Sequence, residues 1–182
     1  MASVFTHAFV GVALATAYAG TPTPRRLALL AAGCAALPDA DALGFLCGVP
    51  YGSVLGHRGL SHSLLFACLT GLAVTRLAYR ELRGRAFRGR ALFFTAVTAS
   101  HGVLDALTSG GLGVAFFSPV GLRRYFFPWR PIAVSPLDPG RFVGRAAQRI
   151  LESELRWAWL PAIAVVLVSL AIRRLGGTKR GA

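Results

Sequence analysis

Apolar positions in this chain come in long blocks, not in the period of two that marks strands. Five blocks stand out, at roughly 3–20, 27–47, 63–79, 91–108 and 157–172. Blocks of this length predict helices, and no alternation runs far enough to predict a sheet. Crossing about 30 Å of hydrocarbon takes about 20 residues, so each block sits at the lower edge of a membrane span. The second is interrupted by PDAD at 38–41 and the third contains Arg76. A connection rich in Gly, Pro and Arg separates the last two blocks, over 109–150. A loop this long in a small domain is usually functional. The pattern therefore predicts an all-α, membrane-embedded bundle of about five apolar helices in one domain, 1–182, with a long irregular loop. A soluble bundle of unusually apolar helices is the competing reading.

Composition favours the membrane. The chain is 54% hydrophobic and 15% charged over 182 residues, with a mean hydropathy of +0.57, oilier than an ordinary soluble domain. Basic residues outnumber acidic ones by 20 to 7, and every basic residue but Lys179 is arginine. A nucleic-acid binder of this charge would be polar overall. Here the arginines are dispersed between apolar blocks and no nucleic-acid motif is present, which argues against that class. Cys34, Cys47 and Cys68 lie in apolar stretches without CxxC spacing and read as small packing residues. The first block lacks a basic leader and contains His7, so it reads as a retained helix, not a cleaved signal.

If each block crosses once, twelve basic residues share one side. They are Arg25, Arg26, Arg76, Arg80, Arg83, Arg85, Arg88, Arg90, Arg173, Arg174, Lys179 and Arg180. The other side receives eight: Arg58, Arg123, Arg124, Arg130, Arg141, Arg145, Arg149 and Arg156. The positive-inside rule then makes the first side cytoplasmic. The chain would be a multi-pass protein of the inner membrane.

The same topology gathers the rare polar residues at the other end. All four histidines, His7, His57, His62 and His101, fall there, with Asp39, Asp41, Asp105 and Glu154. Polar groups in or near apolar spans are costly and tend to be functional. His101 and Asp105 are four apart, on one helical face, and can hold a common metal or share a hydrogen bond. Asp39 and Asp41 follow Pro38 in a turn or helix start; one can be an N-cap, but that leaves the second unexplained. His57 and His62 flank Gly59 in HRGLSHS, where Ser61 or Ser63 can cap the next helix. Arg58 can hold an anion or pair with an aspartate. Glu154 opens the last block, where an acid is also at home in a first helical turn; Glu152 is its alternative.

These pieces, in this order, resemble the YdjM-type family of LexA-binding, inner-membrane-associated metal-dependent hydrolases. The matching residues are TH at 6–7, PDAD at 38–41, HRGLSHS at 57–63, HGVLDALTSGG at 101–111, WRPI at 129–132 and SELRW at 153–157. The family is similar in turn to zinc-dependent phospholipase C and the P1-type nucleases, helical proteins that cleave phosphoesters with clustered zinc. Those enzymes add a later HxxxE, whereas no histidine follows His101 here. The resemblance therefore implies one or two ions, not three.

It implies a divalent metal, zinc by ligand type, held among His7, Asp41, His57, His62, His101, Asp105 and Glu154. Water on such an ion becomes acidic enough to attack near neutral pH. Asp39 or Asp41 would hold that water or act as base, Asp39 being the first choice, and Arg58 would neutralise developing charge. Expected partners are membrane lipids and a small-molecule or lipid phosphoester substrate. A membrane interaction protein with a structural metal is the main alternative. A lipid phosphatase of the PAP2 type fits less well, because there is no PSGH and the only lysine lies in the tail. A serine protease built on Ser61 or Ser63 lacks GxSxG and leaves the acids unexplained.

Overall fold

The structure, a computed structural model, describes residues 1–136, 140 and 142–178. Arg141, Lys179 and Arg180, counted above, lie outside the described residues. The described chain is all-helical. Helix α1 spans Val4–Ala19, α2 Arg25–Ala36, α3 Leu64–Ala78, α4 Gly84–Ala106, α5 Gly144–Glu154 and α6 Leu160–Thr178. A 3₁₀ stretch, Leu37–Cys47, prolongs α2, and a π turn, Leu155–Trp159, joins α5 to α6 in one rod. The result is five rods. Two isolated β-bridges, Thr108 with Ile132 and Val114 with Tyr125, pin the long loop, and no strand forms among the described residues.

Several boundaries differ from those expected of the sequence. Arg85, Arg88 and Arg90 were assigned to a connection, yet they form the first turns of α4. Arginine is a good helix former, so the helix runs past the apolar block toward water. The predicted loop ends at Val143 and not at residue 150, because α5 begins at Gly144. PDAD does not break the second block; Pro38 stands at the start of the 3₁₀ stretch, where its missing N–H costs little. Ser63 settles which serine caps α3, accepting from the Phe66 N–H at 3.1 Å. Ser3 caps α1 by accepting from the Thr6 N–H at 3.3 Å.

Close backbone approach holds the rods together. At Gly11 an added Cβ would meet the Ala31 carbonyl oxygen at 2.5 Å, so α1 crosses α2 there. At Gly71 it would meet Thr95 Oγ1 at 2.2 Å and the Ala91 carbonyl oxygen at 2.6 Å, where α3 crosses α4. Small residues at a crossing let helices in a membrane gain dispersion contact. One core cluster joins Ala15, Leu27, Ala31, Cys34, Phe94 and Val97 from α1, α2 and α4. A second joins Ala2, Val10, Leu104, Ile132 and Ala158, tying α1 and α4 to the loop and the π turn.

Two rods are long and apolar enough to cross a membrane: Arg25–Cys47, mean hydropathy 1.4, and Gly144–Gly176, mean hydropathy 2.0. Helices α1 and α3 are shorter apolar helices of 16 and 15 residues. Leu160, Ile163, Leu167, Val168 and Ile172 of α6 are all exposed, a face that water would not tolerate on this scale.

The chain ends of the rods sort into a polar pole and a basic pole. At the basic pole Arg173 donates to the Ala17 and Tyr18 carbonyls at 3.0 and 2.6 Å, and Arg26 donates to the Ala78 carbonyl. Arg90 lies 4.5 Å from the centre of the Tyr79 ring. The α1 N-terminus, the 3₁₀ stretch, the start of α3 and the end of α4 meet at the other pole. Gly71→Ala is expected to destabilise the detergent-solubilised protein by about 1–3 kcal/mol through overpacking, read as a lower thermal midpoint. Gly89→Ala, where an added Cβ meets nothing within 4 Å, is expected to raise it slightly through helix propensity.

Candidate metal centre

The polar pole is built from the backbone outward. His101 sits on the buried face of α4, and its Nδ1 lies 2.7 Å from the Ala35 carbonyl oxygen of α2. A carbonyl only accepts, so Nδ1 carries the proton and Nε2 presents its lone pair. His62 ends the 3₁₀ turn Leu60–His62, with Nδ1 3.2 Å from Asp41 Oδ2. That carboxylate, with Ser61 Oγ at 3.0 Å, accepts from Nδ1–H and turns Nε2 inward. The two Nε2 atoms then face each other at 3.0 Å. Two lone pairs at that distance repel, so the arrangement requires a positive charge between them, a proton or a metal ion.

Carboxylates complete the surround. Asp39 Oδ1 lies 3.3 Å from His101 Nε2 and 3.8 Å from His62 Nε2. Asp105 Oδ2 lies 3.9 and 3.5 Å from the same two atoms. One atom from each of Asp39, His62, His101 and Asp105 falls within 4.8 Å of all the others, and all four residues are buried. Both Asp39 carboxylate oxygens lack a hydrogen-bond partner, and Asp105 Oδ2 has the Arg58 guanidinium on one side only. Buried carboxylate oxygens without partners are expensive, and a cation at their centre removes that cost. Asp39, Asp41 and Asp105 against Arg58 leave two negative charges, the charge of one divalent ion. Two nitrogens and two oxygens suit a tetrahedral zinc-type centre. The cluster can therefore hold a metal ion.

The remaining predicted residues surround this tetrad in different ways. Asp41 accepts from His57 Nδ1 at 2.7 Å, from the Arg58 N–H at 3.3 Å and from Ser61 Oγ. It thus orients both histidines of HRGLSHS; with His57 and His62 it forms a second group of metal-ligand spacing. His57 Nε2 has no partner. His7 stacks on the His101 ring at 3.6 Å between centroids, and its Nε2 lies 3.4 Å from Asp105 Oδ1. It flanks the tetrad without belonging to it.

Arg58 is fully buried, and its φ of 63° is left-handed, a costly conformation for a side chain of this size. Its donors are committed: Nη1 to the Gly110 carbonyl at 2.9 Å, Nη2 to Thr108 Oγ1 at 2.9 Å, and Nε beside Asp105 Oδ2 at 3.0 Å. Gly111, at φ 90°, makes room for it; a Cβ there would stand 2.8 Å from Nη1. The structure thus places Arg58 behind Asp105, as its counter-ion, and not at an open phosphate position.

Glu154 is likewise engaged elsewhere. It accepts from Ser3 Oγ at 2.7 Å, Thr6 Oγ1 at 2.8 Å and the Ser3 N–H. Trp159 Nε1 donates to Thr6 Oγ1 at 2.7 Å. The acid therefore sits at the N-terminus of α1, where the helix dipole favours it. Glu152, its alternative, is hydrogen-bonded to Gln148 at 2.8 Å on an exposed face.

Sequence reading missed several contributors. The Ala2 N–H donates to Asp105 Oδ1 at 2.8 Å, and the Ala35 carbonyl orients His101; main-chain partners leave no side-chain signal. Arg124 donates to the carbonyls of His57, Tyr51 and Ser53 at 3.0–3.2 Å, fastening the loop that carries HRGLSHS. Ser61, taken as a possible cap, serves Asp41 instead. On protonation, burial pushes the His62 imidazole down, but Asp105 and Asp41 outweigh it and hold its pKa at about 8. A proton on His62 thus competes with any metal through neutral pH.

The family model for YdjM inner membrane protein matches residues 1–176. The chain belongs to the YdjM family. It is similar to inner membrane protein YbcI of Escherichia coli (strain K12), with 38% identity over 163 residues, covering 90% of this chain and 94% of that protein. No solved structure matches it. Membership of an inner-membrane family agrees with the two candidate spans and the exposed apolar face of α6.

The tetrad generates a direct expectation for this YdjM-family protein. Purified protein should carry about one equivalent of a divalent metal ion by elemental analysis. His101→Ala and Asp39→Asn should lose it while keeping their helical circular dichroism. Glu154→Gln should keep it, because Glu154 serves α1. Affinity should fall as pH drops below about 8, where His62 takes a proton; a flat profile from pH 8 to 5 would contradict the assignment of His62 as a ligand.

Proposed function

We propose that the protein is a membrane-bound, metal-dependent hydrolase of phosphoesters, with one zinc-class ion held by Asp39, His62, His101 and Asp105. The supporting observation is the convergence of unpartnered buried carboxylate oxygens on two inward-facing imidazole nitrogens. A pure hydrogen-bonded network would have satisfied the Asp39 oxygens. The resemblance to metal-dependent hydrolases, set out above, supplies the reaction class.

A divalent ion there supplies Lewis acidity and makes water acidic near neutral pH. The chain's own residues do the rest. Asp39 has two unpartnered oxygens: one would help to hold the ion, and the other is free to accept a proton. Asp41 fixes the tautomers of His57 and His62 through Nδ1. Arg58 holds Asp105 in place and spreads its charge over Thr108 and Gly110. His57 is one wall of a cleft; with its Nδ1–H given to Asp41, its unpartnered Nε2 can accept from a hydroxyl or water.

The arginine count supports an extracytoplasmic polar pole in a multi-pass protein, with lipids as its surroundings. A second reading has one observation in its favour. The Arg58 guanidinium is spent on Asp105, Thr108 and Gly110, so it does not offer the free phosphate clamp of a hydrolase. On that reading the ion is structural and the protein binds a partner.

Zinc-loaded protein is expected to hydrolyse a phosphodiester in detergent, with activity removed by chelation and restored by zinc. His101→Ala should reduce the rate at least a hundredfold, and Asp39→Asn comparably. Folded, zinc-loaded protein inert toward a panel of mono- and diesters would favour the structural reading.

A further inference from the structure

Two cavities open onto the polar pole, of about 430 and 230 Å³. The larger falls in the size range of small-ligand pockets. They adjoin, with Met1, Ser135 and Pro136 in the walls of both. The inner end is walled by Tyr51 and His57, the middle by Val134, Ala146 and Ile150. The outer end is walled by Val4, Phe5 and Phe142. Phe5 is 70% exposed and Val4 41%, on an apolar helix. The cavities thus reach from the exposed Val4 and Phe5 to His57, whose Nε2, like that of His7, is buried without a hydrogen-bond partner.

A small water-soluble ester would use only the Tyr51–His57 end and leave the apolar remainder uncovered. A molecule with a polar head and a hydrocarbon tail matches both ends. A membrane supplies such molecules directly to an opening at Phe5. We infer that the two adjoining cavities act as one groove that admits one acyl chain of a glycerophospholipid from the side, with the polar head group toward Tyr51 and His57 and the chain along Val134, Ile150 and Phe142. The inference rests on the hydrolase reading for what happens at the phosphate, but occupancy of the groove does not require turnover.

The probe is phosphatidylglycerol bearing a diazirine midway along one acyl chain, in phosphatidylcholine nanodiscs containing the zinc-loaded protein. After illumination, labelled residues are mapped by mass spectrometry. Label is expected on Val134, Ile150 or Phe142, in addition to the general lipid label on Leu167 and Val168 of α6. Ala146→Trp narrows the groove at an exposed position away from the tetrad. It should cut groove label at least tenfold, leaving α6 label and zinc content unchanged. Label confined to α6, or groove label undiminished in Ala146→Trp, would overturn the inference. Groove label on a protein that hydrolyses nothing would instead count against the hydrolase reading alone. Turnover of a short-chain ester without groove label would sink the chain site and leave hydrolysis standing.

Discussion

Asp105 carries a full negative charge at a position with no solvent access, and most of the molecule is arranged around that fact. One oxygen accepts from the Ala2 N–H ahead of α1; the other faces the Arg58 guanidinium and the His62 imidazole. His7 and His101 close the remaining sides. A buried carboxylate is tolerated only when paired and hydrogen-bonded. Those partners come from α1, the HRGLSHS turn and α4 itself, so satisfying one charge fixes how these segments meet. Arg58 pays for its place with a left-handed backbone, which persists because Asp41 and the Ala115 N–H hold its main chain on both sides.

Much of this was legible in the chain. Apolar blocks of helical length, read with alternating direction, put His7, Asp39, His62, His101 and Asp105 at one pole, and there they lie together. The four-residue spacing of His101 and Asp105 set both on one face of α4. What the sequence could not show is which polar atom meets which. Asp39 and Asp41 differ by two positions, yet one faces the two Nε2 atoms and the other holds Nδ1 groups from outside. That split depends on the 3₁₀ geometry of Leu37–Cys47, for which Pro38 is the only cue. Glu154 looked like a ligand by position along the chain. Its capture by Ser3 and Thr6 depends on a helix terminus more than a hundred residues away. The long arginine-rich start of α4 was hidden for a simpler reason: hydropathy marks where a helix is buried, and the helix continues beyond that point.

The π turn gives the last rod its two-sided role. In a π turn, residues five apart align along the helix, so Glu154 and Trp159 both reach Thr6. An uninterrupted α-helix would turn one of them away. Below this turn α5 carries Arg145 and Arg149 toward the surface; above it α6 is almost wholly apolar. One continuous element therefore changes from a polar-pole wall to a lipid-facing span without a break in the chain.

The Ser3–Thr6–Glu154 contact also bears on folding. The carboxylate that satisfies the N-terminus of α1 follows it by about 150 residues in the chain. Until Glu154 arrives, the early hairpin of α1 and α2 must wait with its first turn of amides facing water or headgroups. Closing so long a loop is slow compared with forming local helix pairs. The polar pole is therefore completed only when the final rod docks against α1.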